Sequence, residues 1–118
     1  MSDDRPEFDE RTKKIAALND ALRTTFNPTA GTILGTPGFA NLSTEDKRAV
    51  INLVQTFNDF SEDNDPHGEH DFGAVKHNGE TFYFKLDYYN PDHSAGSEDP
   101  ADPTQTSRVM TILNAREY

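Results

Sequence analysis

The sequence predicts an α+β domain in which an antiparallel sheet of three to four strands carries two helices packed on one face. Three observations favour this fold class: two stretches with apolar residues at helical spacing, a central Asn78-Gly79 pair between strand-like runs, and a C-terminal stretch rich in β-branched residues. At 118 residues the chain has room for one domain with a single core. We expect a flexible polar tail over residues 1–8 and a single α+β domain over residues 9–118.

The first third of the chain predicts a helix and then a short strand. Ile15, Leu18 and Leu22 recur at helical spacing, which predicts a helix over about residues 9–25 that ends before Asn27-Pro28. The β-rich stretch over residues 31–35 is typical of an edge strand. Residues 36–38, Thr-Pro-Gly, are expected to turn the chain.

A second helix is predicted over about residues 44–59. Ser43 is suited to cap its start, and two acids in the first turn complement the helix dipole. The helix then carries a wide apolar stripe: Val50, Ile51, Leu53, Val54 and Phe57.

A β-hairpin centred on Asn78-Gly79 is the strongest local prediction, because Asn-Gly is the favoured pair for a two-residue type I′ turn. That turn fixes the register, which places Val75 opposite Phe82, Gly73 opposite Phe84 and Asp71 opposite Leu86. Phe82, Phe84 and Leu86 then form the core face of the sheet. On the other face, the same register predicts that His70 lies across from Asp87.

The C-terminal stretch, residues 104–118, fits either a helix or a strand. Its β-branched residues favour a strand that pairs with the hairpin, and we adopt that interpretation. The segment before it, residues 90–103, has no periodicity and is rich in Pro, Asp, Ser and Gly. It is long for an inert connection in a compact domain.

The net charge of −10 is concentrated in two stretches. The first acidic segment, residues 59–71, has six acids and no Lys or Arg, and the second acidic segment, residues 87–102, has five acids and no Lys or Arg. The rest of the chain holds 10 acids and 11 bases, so it is nearly neutral. A protein that binds a phosphate backbone has the opposite polarity, which argues against direct binding of DNA or RNA.

Several function classes are excluded by what the sequence lacks. The chain has no Cys, so it has no disulfide, thiolate metal site or cysteine nucleophile. Its first 11 residues are charged and do not resemble a signal peptide, and no apolar run is long enough to span a membrane. We expect a cytoplasmic protein that does not bind membranes.

Residues 64–73 read NDPHGEHDFG, and this block resembles the signature of a bacterial family known as domain of unknown function 3768. The same resemblance extends through residues 17–23, 85–89 and 96–103. The family has no assigned activity, cofactor or catalytic residue, so the resemblance implies none here. Its genes look like cargo of plasmids and other mobile elements, often near anti-restriction and partition genes, and the resemblance implies the same setting for this chain.

A divalent-cation site is one alternative that the sequence leaves open. His67 and His70, with Asp71 and Asp87, have the donor types that zinc, manganese or iron prefer. Residues 63–68 also begin like a calcium loop, but the twelfth position, where an EF-hand has Glu, is Ala74. The competing interpretation is structural: His70 hydrogen-bonds Asp87 across the hairpin, and His67 is a solvated turn residue.

Enzyme activity has weak support in the sequence. The acids and Lys85 on the hairpin resemble a metal-dependent nuclease, but Tyr83 stands where that pattern needs an acid. A Ser-His-Asp set drawn from Ser94 or Ser97 has no specific spacing. The stretch over residues 31–36 lacks the Lys of a phosphate loop. We therefore lean towards a protein without catalytic activity.

The leading hypothesis is a small acidic protein-binding module for a basic partner, acting as a monomer or a homodimer. Its concrete form is a mobile-element-encoded inhibitor of a host defence or nucleic-acid-handling complex, of the anti-CRISPR, anti-restriction or DNA-mimic type, whose carboxylates replace phosphates. The predicted partner-binding residues are Asp63, Asp65, Glu69, Asp92, Glu98, Asp99, Asp102, Phe72, Tyr83 and Tyr89. For the aromatic residues, the alternative is that the C-terminal segment or a second copy of the chain covers them.

Overall fold

The computed structural model describes Arg5 and residues 7–118. In this part of the chain the elements follow in the order α1 Glu10–Thr25, β1 Thr32–Gly35, α2 Pro37–Ala40, α3 Thr44–Thr56, β2 Phe72–His77, β3 Glu80–Tyr89 and β4 Ser107–Asn114, with a final 3-10 turn, Ala115–Glu117. The class is α+β, as predicted. The tail expected over residues 1–8 lies partly outside the described residues. None of the described helices is long and apolar enough to cross a membrane.

Local sequence signals set the ends of the two long helices. The side chain of Asp9 caps α1 by accepting a hydrogen bond from the backbone of the first turn, and Ser43 caps α3 in the same way. The cap that we predicted at Ser43 is therefore confirmed. However, α3 ends at Thr56, three residues before the predicted end. Phe57 is already extended there, and its ring packs edge-on against the ring of Phe84 at 5.3 Å.

The four strands form a mixed sheet in the order β1-β4-β3-β2. The predicted antiparallel arrangement is correct for β2, β3 and β4 but wrong for β1, which pairs with β4 in parallel. A parallel pair needs a long connection, and the chain between β1 and β4 contains two helices and two strands. The predicted strand at the C-terminus, which pairs with the hairpin, is confirmed as β4.

The predicted hairpin register is confirmed. Asn78 and Gly79 have φ values of 51° and 76°, as a type I′ turn requires, and Val75 and Gly73 pair with Phe82 and Phe84. The expected approach of His70 to Asp87 is wrong. His70 has a positive φ of 56°, so the chain leaves the strand direction before β2 begins.

The hydrophobic core lies between one face of the sheet and the helices α1 and α3. Phe82, Phe84 and Leu86 of β3 form the buried face, as predicted, together with Met110 and Ile112 of the neighbouring strand. From the helices, the core receives three aliphatic side chains: Leu22, Val50 and Val54. The other sheet face carries Tyr83, Lys85 and Asp87 of β3, and we call it the open face.

Candidate functional site

The two acidic segments lie at the same end of the sheet. The first ends where β2 begins, and the second runs from the last residues of β3 into the connection that leads to β4. Because β3 is antiparallel to both of its neighbours, the start of β2, the end of β3 and the start of β4 coincide. We call this region, residues 59–71 and 87–102, the acidic end.

A buried amide, Asn19 of α1, connects the two acidic segments. Its nitrogen donates to the backbone carbonyl of Glu69 at 3.0 Å and to the hydroxyl of Tyr88 at 2.8 Å. Its oxygen accepts from Nε of Arg108 at 2.6 Å, and the same guanidinium donates to the carbonyl of Pro100 in the second segment. Burial lowers the pKa of Arg108 from its ordinary value. The acidic end therefore has a buried polar centre with defined hydrogen bonds.

The Tyr88 hydroxyl extends this polar centre to the first segment. It donates to Oε1 of Glu69 at 2.7 Å while it accepts from Asn19. Burial, followed by the nearby Glu69 carboxylate, raises the pKa of the Tyr88 phenol above its ordinary value. The phenol therefore remains a hydrogen-bond donor, and it holds the Glu69 side chain against the sheet.

Two side chains of the first acidic segment hold it against Arg5 and α1. The fully buried carboxylate of Asp65 accepts from the backbone N–H of His70 at 3.1 Å and from Nη2 of Arg5 at 2.9 Å. Nδ1 of His70 lies 3.0 Å from the Asp20 carboxylate, and the His70 ring stacks on the Phe60 ring at 3.9 Å. These contacts give the 64–73 block a structural role in fixing the segment.

Several of the remaining carboxylates of the acidic end face solvent. Five acids of the acidic end are exposed and form no ion pair with a described residue: Asp59, Glu62, Asp63, Asp92 and Glu98. Asp99 is half-buried and lies 3.4 Å from Arg11, and Asp102 accepts hydrogen bonds from Thr104. Hydrogen bonds from the Ser94 and Thr104 side chains, more than any other cause, lower the pKa of Asp92 and Asp102. Both groups therefore stay ionised at neutral pH.

The acids predicted to bind a partner do not share one environment. Asp63, Asp92 and Glu98 are exposed, whereas Glu69, Asp99 and Asp102 are half-buried. Asp65 is 0 % exposed, so in this structure its carboxylate is not part of the acidic surface. The sequence-based assignment of Asp65 to the acidic surface is therefore wrong, because the sequence does not reveal which acid of the segment turns inwards.

The predicted aromatic residues lie on the open face. The ring centroids of Phe72 and Tyr83 are 4.9 Å apart. The Tyr118 ring lies over both, with its centroid 6.0 Å from that of Phe72 and 5.5 Å from that of Tyr83. The last residue of the chain therefore covers part of this pair, which was one of the two alternatives. Tyr89 is exposed at the acidic end and stacks on His93 at 5.3 Å.

The four residues proposed as metal ligands do not converge. His70 is bound to Asp20 on the core side of the sheet, and Asp87 lies on the open face, 2.6 Å from Lys85. His67 is exposed and Asp71 is half-buried. Among the residues that the structure describes, no three His, Asp or Glu side chains form a group that could hold a metal ion.

The serine residues considered for catalysis have other partners. Ser94 bonds Asn90, and Ser97 bonds Thr106. The described serine that lies next to a histidine ring is Ser107, whose hydroxyl is 2.6 Å from Nε2 of His93. This exposed contact joins the second acidic segment to the start of β4, and the described contacts provide no carboxylate bonded to the other ring nitrogen.

Neither Asn19 nor Arg108, which form the centre of the polar network, was predicted from the sequence. A signal for Asn19 was present, since it stands four residues after Ile15 and three before Leu22, inside the apolar stripe of α1. A polar residue on a buried face needs hydrogen-bond partners. No comparable signal marked Arg108, because β4 was itself ambiguous from sequence.

Asp71 gives the acidic end a predicted pH dependence. Burial, followed by the charges of Glu69 and Asp65, raises the pKa of Asp71. The folded state then binds a proton more readily than the unfolded state, so ionised Asp71 lowers stability at neutral pH, and this cost is relieved as the pH falls through the folded-state pKa. We expect Asp71→Asn to raise the thermal midpoint at neutral pH, with a smaller gain at acidic pH. Exposed Asp59→Asn should show no such trend, and a lower midpoint for Asp71→Asn at neutral pH would contradict the prediction.

Comparison with known proteins gives one match. A family model described as "Protein of unknown function (DUF3768)" matches residues 35–117. The matched region contains the 64–73 block and both acidic segments, whereas α1 lies outside it. No curated protein and no solved structure matches the chain.

Proposed function

This chain belongs to the DUF3768 family, whose description assigns no function, and we propose that it is a non-enzymatic module that binds a basic protein through its acidic end. The observation that carries this proposal is the meeting of two Lys- and Arg-free acidic segments at one end of the sheet. There, five exposed carboxylates have no ion-pair partner among the described residues. Carboxylates left unpaired on one side of a small domain create a field that attracts cations over a Debye length.

The internal structure of the acidic end supports a binding role over a purely solubilising one. Surface charges that only keep a protein soluble need no fixed arrangement. Here, Asn19 and Arg108 link the two segments through buried hydrogen bonds, so the carboxylates are held on an ordered frame. Exposed Tyr89 lies at the edge of this surface, where an aromatic ring can add contact area to a charged interface.

The concrete form of the proposal is an inhibitor of a nucleic-acid-handling complex. A protein that binds the DNA or RNA backbone presents Lys and Arg in a groove. The carboxylates of the acidic end would occupy that groove in place of phosphates, and binding would weaken with salt. The mobile-element setting implied by the family resemblance fits an inhibitor of a host defence complex.

Two matched variants test the use of the acidic end. Asp63→Asn with Glu98→Gln removes one exposed carboxylate from each acidic segment, and Glu10→Gln with Glu45→Gln removes two exposed carboxylates from the first turns of α1 and α3, outside the acidic end. We expect basic proteins from a cell lysate to bind the immobilised wild type and the second variant at low salt. The first variant should bind them about tenfold more weakly, since each interfacial charge contributes on the order of 0.7 kcal/mol.

Retained proteins are then identified and competed with duplex DNA. Release by DNA and by salt supports a partner that handles nucleic acid. Equal retention by the two variants would show that only net charge matters and would refute the proposed surface. Retention that is unaffected by salt would refute the electrostatic basis of binding.

A further inference from the structure

The buried carboxylate of Asp65 forms the floor of a socket that holds a guanidinium group. Nη1 of Arg5 donates to the backbone carbonyl of Asp65, and Nη2 donates to its Oδ2 at 2.9 Å. The other carboxylate oxygen is already bound to the His70 backbone at 3.1 Å. The ring of Phe8 lies 5.0 Å from the guanidinium carbon of Arg5 and closes one side. The chain therefore places its own arginine in a site that matches arginine chemistry.

Part of the frame of this socket lies outside the segment that carries Arg5. Asp65 is held by the turn over residues 61–68, and residues of α1 and Gly68 line the cavity beside Arg5. Arg5 reaches the site from the segment before α1, 60 positions away in sequence from Asp65. A cavity of about 440 Å³ adjoins the bound guanidinium, and Ala16, Ala17 and the Asp20 carboxylate line it. This space leaves room for a second side chain next to Arg5.

The socket needs a cation to pair with the Asp65 carboxylate, and its geometry favours a guanidinium over an ammonium group. Without a guanidinium, the buried Oδ2 of Asp65 would lose the hydrogen bond that it accepts from Arg5, and a buried unpaired carboxylate is costly. The two acceptors, Oδ2 and the backbone carbonyl, belong to one residue. A planar guanidinium satisfies such a pair with two parallel donors, whereas an ammonium group lacks this fork geometry.

We propose that this socket is a binding site for an arginine side chain of the basic partner, and that Arg5 occupies it in the free protein as an intramolecular competitor. The proposal rests on the proposed function, because it assigns the partner's arginine a specific place at the acidic end. It also gives Asp65 a role in recognition although its carboxylate is buried. Displacement of Arg5 couples partner binding to release of the Arg5 side chain from the first acidic segment.

The test uses the full chain with Arg5→Ala and a small probe, Nα-acetyl-arginine amide. In this variant the probe is expected to bind saturably and to raise the thermal midpoint by about 5 °C at a concentration ten times its dissociation constant. The lysine analogue should bind about tenfold more weakly. A second variant, Arg5→Ala with Asp65→Asn, keeps an acceptor for the His70 backbone and should lose the response. The filled socket of the wild type should respond much less than that of Arg5→Ala.

A response of equal size in the Asp65→Asn background, or no saturable response in Arg5→Ala, would overturn the socket. If Arg5→Ala does not fold, the side-chain NMR signals of Arg5 are followed in the wild type. Their movement to the position of a solvated arginine on addition of the probe supports the proposal, and unchanged signals at saturating probe overturn it. An arginine-rich peptide should bind Arg5→Ala about tenfold more tightly than the wild type, because the competitor is gone.

The socket and the proposed function can fail separately. If the probe binds but no basic protein is captured, the proposed basic partner is refuted and the guanidinium site is still supported. Salt-dependent capture through Asp63 and Glu98, without probe binding, would refute the socket and leave the acidic surface as the binding site.

Discussion

Replacement of Asn19 by alanine is expected to lower the free energy of unfolding by about 3 kcal/mol, which corresponds to a fall of about 12 °C in the thermal midpoint of a domain of this size. The side chain is 0 % exposed and makes hydrogen bonds to Glu69, Tyr88 and Arg108. Its loss leaves a buried guanidinium donor and a partly buried backbone carbonyl without this partner, and the cost of each unsatisfied group adds to that of the cavity. Urea and thermal unfolding measure the change.

The matched control is Asn52→Ala, which changes the same residue type on the exposed side of α3. Alanine is the better helix former, so the free energy of unfolding of this variant should be higher than that of the wild type or within about 0.5 kcal/mol of it. Equal losses for Asn19→Ala and Asn52→Ala would contradict the proposed role of the polar centre. A double variant, Asn19→Leu with Arg108→Met, should recover part of the loss, since removal of both partners leaves fewer unsatisfied groups.

The parts of the fold that were predicted correctly depend on local signals. Two residues, Asn78 and Gly79, fix a turn whose geometry determines the pairing of every residue in the hairpin. The cap at Ser43 and the break at Asn27-Pro28 likewise act within one helical turn. For such elements, the residues that determine the structure lie within a few positions of the residues whose structure they determine.

The parts that were predicted incorrectly depend on distant contacts. The direction of β1 is set by its pairing with residues of β4 that lie 77 positions later, and no turn between neighbours constrains it. The short helix α2 was predicted only as a turn, although Pro37 stands at its first position, where proline is favoured. The left-handed conformation of His70, which moves it away from Asp87, also has no marker in the sequence.

The candidate site was predicted as a charge distribution and not as a geometry. The sequence shows where Lys and Arg are missing, and the sheet topology then brings both acidic segments to one end. The sequence does not show which acids turn inwards: Asp65 is buried under Arg5, and Glu69 is held by Tyr88. These inward contacts join residues 19 to 60 positions apart, so only the folded chain reveals them.

Replacement of Gly73 by alanine is expected to cost about 2–3 kcal/mol, or about 10 °C in thermal midpoint, although it adds a single methyl group. Gly73 is buried at the end of the 64–73 block, and it pairs with Phe84 in the hairpin. A Cβ atom there would lie 2.4 Å and 2.5 Å from atoms of the Phe84 ring and 2.9 Å from the ring of Phe57. Both rings pack in the core, so neither can move away without opening it.

A double-mutant cycle separates this overlap from a general intolerance of the strand. Phe84→Leu removes the ring atoms that the new methyl group would meet, so the Gly73→Ala cost should be at least about 1 kcal/mol smaller in that background. Gly96→Ala is the control, because its nearest neighbour would be 3.7 Å from the new Cβ atom, and it should change stability by less than about 0.5 kcal/mol. An additive cycle would mean that the glycine is required for another reason. A large coupling energy would mean that position 73 requires glycine because the Phe84 ring approaches the strand closely there. This requirement would be independent of any partner.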